Sequence, residues 1–155
     1  MELARANALF ENDPAVSVSL EERERRAEMS VSLGRSQARA AVRRILGPAT
    51  GSVSSLTDPG MVRAAGWVLD ELADALVALG VTDAPALRAS RPADGSLLME
   101  WTFADRRLGF NIEPVRGESG WYYVFSRESG GESGSGLLSS LDAQALLTKV
   151  IVPRR

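Results

Sequence analysis

A chain of 155 residues is the size of one ordinary domain, and a globule of that length buries about 68–70% of the surface its unfolded chain exposes. Apolar residues at 45% and charged residues at 25% exclude wholesale disorder, and a net charge of -2 excludes a global attraction to nucleic acid or anionic membrane. With neither cysteine nor histidine, the chain has no disulfide, no thiolate, no usual zinc ligand and no Ser-His or Cys-His nucleophile pair.

The opening "MELARANALFENDPAV" carries Glu2, Glu11 and Asp13 where a signal peptide has a basic start and an apolar run. No stretch approaches the roughly 20 apolar residues of a membrane helix. A disulfide-free chain fits a reducing compartment, so the expected location is cytoplasmic, with no membrane partner. Lys149 is the single lysine among 18 basic residues, and this arginine bias alongside abundant Ala and Gly reads first as GC-rich coding DNA.

In chain order, "ELARANALF" over 2–10 predicts a short amphipathic helix with Leu3, Ala6 and Phe10 on one side and Pro14 beyond its end. So short a helix is marginal alone in water and must dock on its own domain or on another chain. Ser19 and Glu22 have capping-box spacing, which starts a second helix near Leu20. Gly34 threatens to break that helix, and Gly47-Pro48 should end it. The small, turn-forming "GPATGSVSSLTDPG" then suggests three parts: an N-terminal helical segment over 1–47, a linker over 48–58 and a main domain over 59–155.

Asp58 is placed to cap a helix with Pro59 at its first position; Met61, Ala65, Val68, Leu72, Ala75, Leu76 and Leu79 recur at helical spacing, and Gly80 supplies the stop. Beyond Pro85 the period changes to two. Leu97, Met99, Trp101 and Phe103 alternate with other residues, as do Leu108, Phe110 and Ile112. A two-residue turn at Asp105-Arg106 would set Trp101 opposite Phe110 and Met99 opposite Ile112, all on one face. A four-residue loop, Gly117 to Gly120, would bring in "WYYVFSR" with Tyr123 and Phe125 inward, and "RAS" before Pro92 offers a short edge strand. "SGGESGSGLL" reads as a flexible surface connection, and "SLDAQALLTKVIV" as a last helix capped at Ser139 or Ser140, with Leu141, Ala145 and Val150 among its apolar positions. The order implies an α+β fold: an antiparallel three- to four-stranded meander sheet covered on one face by helices, with an N-terminal helical segment.

Little catalytic chemistry is legible. Gly131 and Gly136 have phosphate-loop separation, but Leu137 and Leu138 stand where Lys and Ser or Thr are needed, and no glycine-rich strand-to-helix turn suggests a dinucleotide. Neither a cofactor nor a metal is expected. Glu100 and Glu113 would be diagonal neighbours on the outer face, roughly 7 Å apart, a separation that could host a carboxylate-based hydrolase. Arg35, Arg39 and Arg43, spaced by four with Arg44 beside them, could follow a phosphate backbone and mark a nucleic-acid-binding regulator. Three consecutive aromatic residues, Trp121 to Tyr123, cannot all face inward, so Trp121 or Tyr122 could anchor a protein partner.

The stretches "DGSLLMEW", "RLGFNIE" and "GLLSSLDAQALL" resemble a group of small uncharacterised bacterial proteins. In those, a helix precedes a Gly-turn, an apolar run ends in Glu-Trp, and a second strand ends in Ile-Glu. The resemblance spans about Pro85 to Ile151, rests on packing residues, and implies the fold but no reaction. "ATGSVSSLTDPG" stands where many of those proteins carry Gly-Trp-Asp-Gly.

The leading expectation is therefore a non-catalytic accessory, inhibitor or antitoxin-like factor. It would bind another protein, or itself, through a sheet edge, Trp121 and Tyr122, or the N-terminal helix with Leu3 and Phe10.

Overall fold

The computed structural model describes residues 14–151, with side chains from residue 20 onward. Leu3, Phe10 and the short helix expected over 2–10 lie outside the described residues. The chain divides after Gln37 into two units.

The first unit is the leading part of helix α1, Pro14–Val53, and its side chains from Leu20 to Gln37 are all exposed. An i,i+4 ion pair, Glu22 to Arg26 at 2.7 Å, stabilises its surface.

In the second unit α1 continues past the expected stop at Gly47-Pro48 to Val53. Proline removes one helical donor, and a buried stripe of Ala41, Ile45, Ala49 and Val53 offsets the loss. Within the final turns Thr50 and Ser52 turn their hydroxyls back onto the Leu46 and Pro48 carbonyls, at 3.0 and 3.3 Å. The glycine at 34 does not interrupt the helix either.

Helix α2, Pro59–Ala78, follows its sequence signals closely. The Asp58 carboxylate accepts the Met61 N–H at 2.8 Å, and Gly80 takes φ 65 beyond the end. Met61, Ala65, Val68, Leu69, Leu72, Ala75 and Leu76 are its buried positions.

Five antiparallel strands follow in spatial order β1-β2-β3-β4-β5: Arg88–Ser90, Leu97–Phe103, Arg106–Ile112, Gly120–Phe125 and Ser133–Leu137. The fold is α+β with an N-terminal helix, and the sheet has five strands rather than three or four. The additional strand, β5, comes from the stretch expected to be a surface connection. Its glycines are required by packing, because a Cβ on Gly134 would lie 2.5 Å from the Tyr123 ring and one on Gly136 would lie 2.7 Å from the Trp121 ring.

The β2–β3 turn is Ala104-Asp105, one residue earlier than expected, with Ala104 at φ 51. Pairing is therefore displaced by two: Trp101 faces Leu108, Met99 faces Phe110 and Leu97 faces Ile112. Because the displacement is even, all six stay on the inner face and all six are buried. The β3–β4 connection is longer than the expected four residues, setting Phe125 opposite Arg106 and Tyr123 opposite Leu108, with Tyr123 and Phe125 inward.

Helix α3 is Ala143–Ile151, capped by Asp142 rather than by Ser139 or Ser140: its carboxylate accepts the Ala145 N–H at 2.9 Å. The residues before it, Leu138–Ser140, form a 3-10 turn. Ala143, Leu146, Leu147 and Val150 are buried, whereas Ala145 is exposed. Arg106 donates to the Val150 carbonyl at 2.9 Å, satisfying the end of this helix, and lies 4.9 Å from the Phe125 ring centroid. The core of this unit joins α1 from Ala41 onward, α2, α3 and the inner sheet face. No described helix is long and apolar enough to cross a membrane.

Candidate functional site

A concavity of the second unit opens beside the first turns of α2. Arg63 and Trp67, four residues apart, share one side of that helix away from its buried stripe, with Pro59, Gly60 and Ala64 beside them. The facing wall is the β3–β4 connection. There Ser119 Oγ accepts the Glu113 N–H at 2.9 Å and Gly117 takes φ 88, so the chain folds back and presents Pro114, Val115 and Arg116. The Leu138 N–H donates to the Ser119 carbonyl at 3.1 Å, fixing the end of β5 against this connection. Together these walls enclose a cleft of about 940 Å³.

Its chemistry is amphipathic. Trp67 is 41% exposed, Val115 56% and Leu137 55%, a concentration of large apolar side chains in contact with water. Arg63 and Arg116 line the same cleft, and among the described residues neither has a hydrogen-bond or ion-pair partner. Asp58 is occupied with its helix cap, and Glu113 accepts from the Asn111 amide.

The residues singled out from sequence are dispersed. Trp121 points to the inner face, half-buried, with its ring stacked on Tyr123 at 6.5 Å and 6°. Its buried Nε1 has no partner among the described residues. Tyr122 turns to the outer face, where its ring lies across Gly109 and its hydroxyl donates to the Glu100 carboxylate. Burial first, and then the Glu100 hydrogen bond and charge, push the Tyr122 phenol up to about 12 from 10.0, with Arg107 opposing.

Glu100 faces Gly109 in the ladder, whereas Glu113 lies just past the end of β3, four residues from Gly109, so the two are not diagonal neighbours. The register thus removes the pairing on which the carboxylate-hydrolase expectation rests. Among the arginines, Arg35 is exposed in the first unit, and Arg39 and Arg43 are exposed in the second. Arg44 is structurally engaged, donating to the Thr82 and Ala84 carbonyls at 2.7 and 3.2 Å.

Lys149 pairs with Glu132, lies 4.8 Å from the Tyr123 ring centroid, and is held above its ordinary value first by the Glu132 hydrogen bond. Tyr123 donates to Glu132 at 3.0 Å, so the only lysine closes a side-chain network joining α3 to the sheet. No cluster of Asp and Glu among the described residues could hold a metal ion.

Trp67, Arg63, Val115, Arg116 and Leu137 were not singled out from sequence. One signal was available: Trp67 falls off the apolar stripe of α2, where a tryptophan has no core to fill. Comparison with protein-family models, with curated proteins and with solved structures found no match.

Proposed function

We propose that the chain is a non-catalytic protein-binding factor, of the accessory, inhibitor or antitoxin-like kind, that receives its partner in the Trp67 cleft. The observation that carries this reading is the convergence of exposed Trp67, Val115 and Leu137 with two arginines that have no partner among the described residues. Tryptophan and arginine dominate the energetics of protein interfaces, because they combine large buried area with a specific polar edge. The reading places the protein in the bacterial cytoplasm, consistent with a chain that lacks cysteine.

Side-by-side affinity capture from native cells with the wild-type chain and with Trp67→Ala tests it. Alanine suits an exposed helical position, so folding should survive. A hot-spot tryptophan contributes about 2 kcal/mol or more, roughly thirtyfold in Kd, so specific partners should be lost from the variant. Identical recovery by both proteins, or a wild-type chain that retains no partner at all, refutes the proposal.

A further inference from the structure

The two edges of the sheet are built differently. The β1 edge is three residues long, carries Arg88, and is followed by Arg91 and Pro92; Arg91 also folds back onto the Ser96 carbonyl at 3.2 Å. Short length, charge and proline are the ordinary means of keeping a sheet edge from pairing with another chain. The β5 edge has none of them. Its sequence is Ser-Gly-Ser-Gly-Leu, without charge or proline.

The hydrogen-bonding phase of β5 follows from its two ends. The Phe125 N–H donates to the Glu132 carbonyl at 2.8 Å, and the Leu138 N–H donates to the Ser119 carbonyl at 3.1 Å. In an antiparallel ladder the bonded pairs alternate, so Gly134 and Gly136 turn their peptide groups toward β4. Ser133, Ser135 and Leu137 turn theirs away from the sheet. No backbone partner meets these outward groups among the described residues, and only the Leu137 carbonyl is engaged, by Ser140 Oγ at 2.8 Å, which leaves it a second lone pair.

We infer that β5 pairs antiparallel with β5 of a second copy of this chain about a two-fold axis at Ser135, joining the two sheets edge to edge. The strand is self-complementary in that register. Ser135 meets Ser135 of the second copy, Ser133 meets its Leu137, and every outward N–H finds an outward C=O. Gly134 meets Gly136 of the second copy on the inner face, where β5 itself carries no side chain and the small Ser140 hydroxyl is the neighbour, 2.8 Å from where a Gly136 Cβ would lie, and no like charges oppose each other. The axis also keeps inner face with inner face. It thereby covers the half-buried Trp121 ring, which lies beneath Gly136 with no partner for its Nε1 among the described residues, at the join. This inference rests on the β5 edge and not on the Trp67 cleft.

The test is sedimentation velocity of the full chain over a wide dilution series, with Ser135→Pro and Ser135→Lys beside the wild type. The Ser135 N–H points away from β4, so proline there removes an outward donor and no ladder bond within the chain. Lysine keeps the backbone intact but sets like charges opposite each other across the axis, and so decides the matter if the proline variant fails to fold. The expected result is a wild-type dimer that both variants weaken by about a hundredfold, since the two-fold makes each substitution count twice, with melting temperatures that match the wild type at dilutions where all three are monomeric. As the chain has no cysteine, Ser135→Cys should cross-link to a covalent dimer with a short thiol reagent, and Thr148→Cys on exposed α3 should not. A wild type that is monomeric at every concentration overturns the inference. So does a dimer that persists in Ser135→Lys, or an edge that captures only foreign strands.

Discussion

The Gly109–Tyr122–Glu100 contact can be examined by exchanging the glycine for alanine. A Cβ on Gly109 would lie 2.2 Å from Tyr122 Cζ and 2.5 Å from its hydroxyl oxygen, so the ring must leave. Leaving breaks the hydrogen bond to Glu100 and uncovers the backbone beneath. A hydrogen bond to a charged group contributes about 1.5–3 kcal/mol. Tyr122 is only half-buried, and solvent screening reduces this to about 1–2 kcal/mol. Alanine restores about 0.5–1 kcal/mol, because glycine loses more backbone entropy on folding. Gly109→Ala should therefore destabilise by about 1 kcal/mol, a fall of about 2–4 °C in Tm for a chain of this size. In a Tyr122→Ala background the obstruction is gone, and the same substitution should become stabilising by about 0.5–1 kcal/mol. Urea unfolding of the wild type, both single variants and the double variant closes the cycle. Equal destabilisation by Gly109→Ala in both backgrounds would refute the assignment of this glycine to the tyrosine ring.

Three further outcomes follow from the polar contacts. The folded-state phenol of Tyr122 lies above its unfolded value, so its contribution to stability is complete below pH 10.0 and is lost as pH rises through about 12; alkaline unfolding of Tyr122→Phe should lack that component, and an unchanged profile argues against it. Lys149 gives one side-chain ammonium resonance in a lysine-labelled chain, and Glu132→Gln should lower its titration midpoint toward 10.5; a midpoint that stays put means Glu132 is not the main cause of the shift. Arg44→Met removes the donors to the Thr82 and Ala84 carbonyls and should destabilise by about 1–2 kcal/mol. Hydrogen exchange should register it as faster exchange at Leu87, whose N–H donates to the Ile45 carbonyl at 2.7 Å, and full retention of that protection would count against the tether.

Legibility in the sequence tracked the range of the physics. Helix α2 was readable to its ends, since Asp58, Pro59 and Gly80 act on neighbouring backbone and need no tertiary partner. The inner face of the sheet was readable too, though its register was not. Side-chain period is two, so a turn misplaced by one residue at Ala104-Asp105, which displaces pairing by two, leaves Trp101 and Phe110 on the same face and gives no local sign of the error. The outer-face geometry did depend on that displacement, and with it went the proximity of Glu100 and Glu113. Gly47-Pro48 misled for the converse reason: a local stop signal was overridden by distant burial of Ile45, Ala49 and Val53. In β5, glycines read as flexibility are spaces occupied by Trp121 and Tyr123, rings from another strand.

The cleft shows why site residues were harder to find than core residues. A core position announces itself by repetition, because each element must bury a whole stripe. Trp67, Val115 and Leu137 break their local pattern once each, on a helix, a loop and a strand, and each alone is an ordinary exposed apolar residue. Only the bonds that fix the loop, Glu113 N–H to Ser119 and Leu138 N–H to the Ser119 carbonyl, turn three separate exceptions into one surface. Ser119 is therefore a more discriminating residue than any that line the apolar floor. Ser119→Ala keeps the other cleft side chains but removes the acceptor for the Glu113 N–H, so a binding surface that depends on the fixed loop should weaken while Tm changes little. If capture of partners survives Ser119→Ala and fails in Trp67→Ala, the tryptophan alone is the anchor and the loop is not part of the recognition surface.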